Sequence, residues 1–290
     1  MNNQNSKEGP VSETNGQSIP EIGQTIRLGD LDVNYHDRGN GAPILLIHGS
    51  GPGVTAWANW RVTIPALESR ARVIAPDMAG FGYTASDGEF SFSKDRWIAQ
   101  IIGLLDVLEI DKAAIVGNSF GGSMALELVK RHPDRCGKIV LMGAVGISFP
   151  LTDGLDAVWG YTPSLDAMRH LLKVFVANES LVTEDLVEMR YRASMRPGVQ
   201  ERFARLFPTP RQRWVDALAQ EARALERMTN EVLIVHGRQD KVIPFEASVR
   251  LSETLPNAAL QPMDDCGHWV QIEKAEAFNA CISDFLLGKV

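Results

Sequence analysis

The sequence contains few cysteines and no excess of basic charge. Only three of its 290 residues are cysteines, and they are scattered, with no C-x-x-C pair. This spacing predicts neither a disulfide framework nor a structural zinc site, and it favours a reducing cytoplasm. The net charge of −7 argues against nucleic acid as a partner, because phosphate binding needs a basic face. The cysteines are Cys136, Cys266 and Cys281.

Long apolar runs are also missing. No stretch approaches the roughly 20 apolar residues that a membrane-spanning helix requires, so we predict no membrane partner. The first twenty residues contain no apolar segment of the kind found in a secretory signal. Their polar composition predicts that residues 1–20 form a disordered tail.

From about residue 24 onward, short apolar runs alternate with longer amphipathic stretches. The short runs are continuous and rich in β-branched residues, which is typical of strands buried on both faces of a parallel sheet. Helical patterns at residues 97–108 and 122–131 lie between them. The alternation predicts an α/β fold with a mostly parallel sheet flanked by helices. The predicted strands include residues 44–47, 73–75, 113–116, 139–142 and 232–235.

One region interrupts the alternation. Between residues 146 and 214 no strand-like run occurs, and helical periodicity recurs at residues 166–176, 184–194 and 200–206. We therefore predict a helical cap at 146–214, inserted into a core domain made of residues 21–145 and 215–290. Ligands of open α/β sheets bind beyond the carboxyl ends of the strands, so the cap should cover the active site.

The segment AAIVGNSFGG at residues 113–122 carries the strongest chemical signal. It places G-x-S-x-G between an apolar strand and an amphipathic helix, which is the context of the nucleophile in the α/β-hydrolase fold. The flanking glycines leave room for the sharp turn that exposes Ser119. We predict Ser119 as the nucleophile; the alternative is a tight turn without chemistry.

A serine hydroxyl needs a base, and the sequence has six histidines. In this fold the base comes from the loop after the last strand, where His268 stands alone in the segment CGHW. The alternative for His268 is a buried structural histidine. Asp240, in the loop after residues 232–235, is the predicted acid, and its position gives the order Ser–Asp–His of this fold. Asp264 and Asp265 compete because they are close to His268 in sequence.

An oxyanion hole requires two N–H donors. One should be the backbone N–H of Phe120, and the other should come from the glycine-rich loop at residues 49–53, which includes Ser50 and Gly51. The loop does not have the Lys-Ser/Thr that closes a phosphate-binding P-loop, so we do not predict nucleotide binding.

Several segments resemble the meta-cleavage-product hydrolases, a family of the α/β-hydrolase superfamily, in particular its 2-hydroxymuconic semialdehyde hydrolase branch and the alkyl-substituted relatives. The resemblance covers roughly residues 20–287 and implies cofactor-free, metal-free hydrolysis of a C–C bond in 2-hydroxy-6-oxo-hexa-2,4-dienoates, small anionic substrates. It also implies a homo-oligomer. The segments are HGSGPGVTAWANW (48–60), APDMAGFGYT (75–84), GNSFGG (117–122), VWGYTP (158–163) and CGHWVQIE (266–273).

The resemblance also implies roles in substrate binding. Arg190 would bind the substrate carboxylate, within a stretch of seven arginines and one acid between residues 190 and 213. Asn59, Asn118 and Trp269 would act at the same end of the substrate; for Asn59 and Trp269 the alternative is a structural role in hydrogen bonding or packing. Ser50 would lie near the C6 oxygen, and Trp159 and Phe120 would shape the pocket for the C6 substituent.

Two other functions use the same fold. A carboxylesterase or lactonase has the same triad but no need to anchor a dienoate carboxylate, so Arg190 and Asn118 argue against it. A catalytically inactive ligand-binding protein usually lacks a member of the triad, whereas all three candidate residues are present here.

Overall fold

A computed structural model describes residues 19–289 of the chain. Nearly all of the tail predicted at residues 1–20 therefore lies outside the described residues. Within the described range, no helix combines the length and the apolar character that crossing a bilayer would require.

Nine strands form one sheet, in the order β1-β2-β4-β3-β6-β7-β8-β9, with β5 beside β2. The strands from β4 to β9 in this order run parallel, and β2 pairs antiparallel with β1, β4 and β5. The apolar runs predicted as strands all lie in the parallel part. The strands are β1 (Gln24–Leu28), β2 (Leu31–Arg38), β3 (Pro43–Ile47), β4 (Arg72–Pro76), β5 (Ala85–Ser86), β6 (Ala113–Asn118), β7 (Cys136–Met142), β8 (Val232–Gly237) and β9 (Ala258–Met263).

Helices cover both faces of the sheet, because alternate side chains of each parallel strand point to opposite sides. Leu45 and Ile47 of β3 face one cluster, whereas Ile44 and Leu46 face the other. The helices are α1 (Ala56–Trp60), α2 (Thr63–Leu67), α3 (Lys94–Val107), α4 (Phe120–Arg131), α5 (Asp153–Trp159), α6 (Leu165–Phe175), α7 (Glu184–Ser194), α8 (Val199–Leu206), α9 (Gln212–Leu218), α10 (Ala222–Leu225), α11 (Phe245–Thr254), α12 (Val270–Glu273) and α13 (Ala275–Leu287).

The helices α5 to α10 lie between β7 and β8, and no strand of the described chain interrupts them. Side-chain caps begin α5, α6 and α7: Thr152, Ser164 and Thr183 each accept a hydrogen bond from a backbone N–H of the first turn. The predicted helices at 166–176, 184–194 and 200–206 correspond to α6, α7 and α8. The exact limits of the cap, residues 146–214, stay a prediction.

Candidate active site

Ser119 lies at the sharp turn between β6 and α4. Its backbone has φ 53° and ψ −114°, a strained conformation for a residue with a side chain. The turn is held by the Ser119 N–H, which donates to Met142 O at 2.9 Å, and by the Ser119 carbonyl, which accepts from Gly122 and Val145. A Cβ atom on Gly121 would lie 2.2 Å from the carbonyl oxygen of Ile47, so this turn requires a glycine.

His268 and Asp240 are joined by a hydrogen bond. His268 Nδ1 lies 2.7 Å from Asp240 Oδ2, and both side chains are almost completely buried. The other carboxylate oxygen, Oδ1, accepts from the backbone N–H groups of Val242 and Ile243 at 2.7 and 2.9 Å. Burial disfavours ionisation, but His268 and His236 beside the carboxyl hold the pKa of Asp240 far below its usual range.

The competing carboxylates lie elsewhere. Asp264 accepts from Arg238 Nε at 2.7 Å on the surface, with 78% of its side chain exposed. Asp265 is also exposed. Asp240 is therefore the carboxylate that orients His268.

The turn between β7 and the cap brings Ser119 and His268 to the same corner of the molecule. Met142 accepts the Ser119 N–H, and a Cβ atom on the next residue, Gly143, would lie 3.2 Å from His268 Cε1. Among the described residues, no hydrogen bond joins the Ser119 hydroxyl to the imidazole. Such bonds are often long before substrate binds.

The glycine-rich loop after β3 is fixed by its neighbours. The Gly49 N–H donates to Asn59 Oδ1 at 3.1 Å, and the Gly49 carbonyl accepts from His48 Nδ1 at 2.7 Å. Burial lowers the pKa of His48 to about 4, so this histidine is neutral, and its Nε2 accepts the Met78 N–H at 2.9 Å. The Gly49 N–H is therefore already engaged, whereas the backbone N–H groups of Ser50 and Gly51 have no hydrogen-bond partner among the described residues.

Trp159 and Phe120 make contacts with the protein itself, Trp159 with the glycine-rich loop and Phe120 with the core. The indole N–H of Trp159 donates to Ser50 Oγ at 2.9 Å, and its ring stacks on Phe207. Trp159 thus orients Ser50. The ring of Phe120 is fully buried in the core against Trp97. The backbone of Phe120 belongs to the turn at Ser119, while a role of its ring in shaping the pocket for the C6 substituent stays a prediction.

Two asparagines present amide groups near the glycine-rich loop and the turn at Ser119. Asn118 Nδ2 donates to Met142 O at 3.2 Å, and the Asn118 side chain is buried. Asn59 is oriented by the Gly49 N–H, and its Nδ2 is buried without a hydrogen-bond partner among the described residues. A buried donor without a partner is unfavourable, so the Asn59 amide is suited to bind a ligand oxygen.

Arg190 extends from α7 of the cap to the loop after β3. Its Nη2 donates to Gly53 O at 3.1 Å, and its side chain is only 12% exposed. The acid nearest to it is Glu21, with 3.9 Å between Arg190 Nη1 and a carboxylate oxygen. This distance leaves the guanidinium without a direct carboxylate hydrogen bond, and a buried cation in that state favours an anionic ligand.

The other arginines of residues 190–213 mostly pair with acids. Arg192 pairs with Glu188, and Arg205 pairs with Glu89. Arg211 pairs with Asp156 of α5. These pairs account for much of the basic stretch as ordinary helix surface, although Arg196 is also largely buried and shares Glu21 with Arg190.

Trp269 joins the loop of His268 to the cap. Its ring stacks on the ring of Phe175 at the end of α6, with centroids 4.8 Å apart. The backbone N–H of Trp269 donates to Phe175 O at 3.0 Å. Glu273 strengthens this junction, because its carboxylate accepts from the N–H groups of Ala177, Asn178 and Gly267.

Two adjoining cavities lie under the cap. The inner cavity, about 40 Å³, is lined by Ser50, Asn118 and His268 and by apolar side chains of α6. The outer cavity, about 440 Å³, lies between α1, α7 and α12. Asn59, Arg190 and Trp269 line both, so the predicted substrate-binding residues stand at their junction.

Three residues of the site were not predicted from the sequence. His236 contacts Asp240, His48 holds the oxyanion loop, and Phe175 stacks on Trp269. The spacing of His236 and Asp240 in HGRQD was a usable signal, because a histidine at the end of the strand is close to the loop that follows. Phe175 gave no signal, since an aromatic residue in a cap helix is usually part of the core.

Comparisons with known proteins agree with this architecture. The α/β hydrolase fold family matches residues 42–275. A 2-hydroxymuconate semialdehyde hydrolase from a Pseudomonas strain is 51% identical over 270 residues, which are 93% of this chain and 95% of the relative. A 2-hydroxy-6-oxo-2,4-heptadienoate hydrolase from Pseudomonas putida is 52% identical, covering 93% of this chain and 98% of the relative.

A solved structure gives the same result in three dimensions. The meta-cleavage product hydrolase CumD from Pseudomonas fluorescens superimposes with a TM-score of 0.90 at 52% identity, covering 91% of this chain and 97% of that one. The chain therefore belongs to the α/β-hydrolase fold family and, within it, to the hydrolases of meta-cleavage products.

Proposed function

We propose that this hydrolase cleaves the C5–C6 bond of a 2-hydroxy-6-oxo-hexa-2,4-dienoate, with Ser119, His268 and Asp240 as its catalytic triad. The observation that carries the proposal is the 2.7 Å hydrogen bond between His268 and Asp240, at a cavity that also contains the buried Arg190 guanidinium. A plain esterase needs the first of these features but not the second.

The chemistry at C6 would use the triad. His268 takes a proton from the Ser119 hydroxyl or from a water, and the oxygen so activated adds to the C6 carbonyl. The oxyanion is stabilised by the Phe120 N–H and by the loop at Ser50 and Gly51. Before cleavage the dienol becomes a keto form, in which C5 has gained a proton. The C5–C6 bond then breaks and its electron pair passes through the conjugated chain to the 2-oxo oxygen, which takes up a proton; one water is consumed in total. The products are a 2-hydroxydienoate and a carboxylic acid.

The opposite end of the substrate would lie at the junction of the two cavities. Carbon is a poor leaving group, so the dienol must first become a keto form, from which cleavage expels a stabilised enolate. Arg190 would bind the C1 carboxylate, and the amides of Asn59 and Asn118 would polarise the 2-oxo group. The unpartnered Nδ2 of Asn59 supports this assignment, as does the position of Trp269 beside it in both cavities.

A small C6 substituent fits this proposal best. The inner cavity is narrow, and Met168, Leu172 and Phe175 of α6 form its apolar wall. A hydrogen or methyl group at C6 would fill such a space, whereas a phenyl group would have to displace side chains.

The test is a steady-state assay on ring-fission products that differ only at C6, followed by loss of their visible absorbance. We expect hydrogen and methyl substrates to exceed the phenyl substrate in kcat/KM by roughly tenfold or more. Ser119→Ala and His268→Ala should each lower kcat by about 10³-fold or more with the fold intact by circular dichroism. Turnover of simple esters but of no dienoate would replace our proposal with a carboxylesterase or lactonase.

We also propose a homo-oligomer in a reducing cytoplasm. The family resemblance supports the first part. The second is supported by Cys136, Cys266 and Cys281, all of which are free thiols. Analytical ultracentrifugation at micromolar concentration would test the oligomer, and a purely monomeric sedimentation profile would contradict it.

A further inference from the structure

A second histidine contacts the same carboxylate as His268. His236 is the next-to-last residue of β8, four residues before Asp240, and both side chains have 0% exposure. His236 Nε2 lies 2.9 Å from Asp240 Oδ2 and 3.1 Å from Ile243 O. Both neighbours are acceptors, so Nε2 carries a proton and donates it.

The other ring nitrogen of His236 is also engaged. Nδ1 lies 2.6 Å from the hydroxyl oxygen of Ser248, which is buried in α11. In a neutral His236 with its proton on Nε2, Nδ1 accepts the Ser248 hydroxyl proton. A continuous chain of hydrogen bonds therefore runs from Ser248 through His236 and Asp240 to His268.

Asp240 consequently receives four donors. Two backbone N–H groups bind Oδ1, and two imidazoles bind Oδ2. Four donors use all the acceptor positions of a carboxylate. The Asp240 side chain is therefore held in a single orientation. Sharing Oδ2 between two donors also reduces the charge available to either of them.

We propose that His236, supported by Ser248, is a positioning residue that holds Asp240 toward His268 and moderates the strength of their hydrogen bond. The proposal rests on the proposed triad. His236 does not touch the cavity residues at Ser50 and Asn118; it acts through Asp240.

The consequence concerns the protonation of His268. Without the donor from His236, Asp240 Oδ2 would bind the His268 N–H more strongly and would stabilise the imidazolium. The other titratable groups around His268 are Cys266 and the exposed Asp264 and Asp265 of its own loop, Glu273 of α12, which contacts that loop, and Arg190 of α7, which lines the same cavity. These groups stay constant when His236 is replaced.

The test compares His236→Met with His236→Gln. The methionine fills the space without a donor, whereas the glutamine amide can place an N–H where Nε2 was. We expect the methionine variant to raise the pKa of His268 by about 0.5 unit or more and to lower kcat roughly tenfold or more. In the glutamine variant, the pKa of His268 and kcat should both stay close to their wild-type values. The readouts are an NMR titration of the His268 ring and the acid limb of kcat/KM.

Ser248→Ala is a milder variant that leaves the imidazole of His236 in place. It should shift the His268 titration in the same direction by less, because His236 becomes a weaker donor. Equal defects in the methionine and glutamine variants with an unmoved His268 titration would overturn the proposal, as would an unmoved titration in Ser248→Ala if His236→Met does not fold. The NMR titration needs no turnover, so a protein inactive on dienoates would contradict the proposed function without affecting this result.

Discussion

At the scale of single residues, Arg190 is distinguished by its place at the junction of the two cavities and by its low exposure, with Glu21 3.9 Å away as its nearest acid. The sequence predicted a role for Arg190 only through a family resemblance, since a stretch of seven arginines alone is typical of a solvated helix face. The structure supplies the physical distinction: its side chain is 12% exposed, whereas that of Arg192 is 74% exposed.

Replacing Arg190 with glutamine should therefore weaken recognition of a carboxylate. We expect kcat/KM on a dienoate to fall roughly 10- to 100-fold, the equivalent of one hydrogen bond to a charged group. Turnover of an uncharged phenyl ester should change little. Arg205→Gln, at an exposed arginine of α8 that lines neither cavity, is the control and should keep wild-type kinetics. An Arg190→Gln enzyme that cleaves the dienoate at the normal rate would show that another residue binds the carboxylate.

At the scale of secondary structure elements, the turn between β6 and α4 depends on the absence of side chains. Gly121→Ala would place a Cβ atom 2.2 Å from Ile47 O. Relief of that contact must shift backbone, and we expect the free energy of unfolding to fall by about 2–3 kcal/mol, with loss of activity. Gly88→Ala is the control, because no atom lies within 4 Å of its Cβ position. Urea denaturation measures both, and equal stability of the two variants would contradict the argument.

The sequence predicted those strands and helices whose own hydrophobic pattern is sufficient to identify them. Continuous apolar runs identified strands such as β3 and β8, since a strand buried on both faces needs no partner to be recognised. The edge strand β1 has mostly exposed side chains and no such run. Asp240 and His268 could be predicted because their loops follow particular strands. The link from Ser248 to Asp240 could not, because it depends on where α11 packs against β8.

At the scale of the whole molecule, a buried carboxylate holds α4 to distant segments. Glu127 has a side chain only 1% exposed, and it contacts Lys94 of α3, Arg131 of its own helix and Gln220 just after α9. Burial opposes its ionisation, but Gln220, Arg131 and Lys94 outweigh burial and lower its pKa to about 2.

This carboxylate should make stability depend on pH in acid. Its pKa in the folded protein lies below the unfolded value of 4.5, so its contribution is complete above about pH 4.5 and is lost as pH falls toward 2. Glu127→Gln should lower the free energy of unfolding at pH 7 by about 2–3 kcal/mol, and the deficit should shrink as the pH is lowered. Asp95→Asn, at the exposed acid that also binds Arg131, is the control. A deficit that does not change with pH would contradict this assignment.

The junction between the cap and the His268 loop bears on how substrate enters the active site and how product leaves it. The backbone hydrogen bond from Trp269 to Phe175, together with the bonds that Glu273 accepts, connects the end of α6 to the loop. A movement of the end of α6 away from the core would therefore displace the loop and the His268 imidazole with it. We therefore expect substrate to enter and product to leave through the outer cavity beside α7, without displacement of His268.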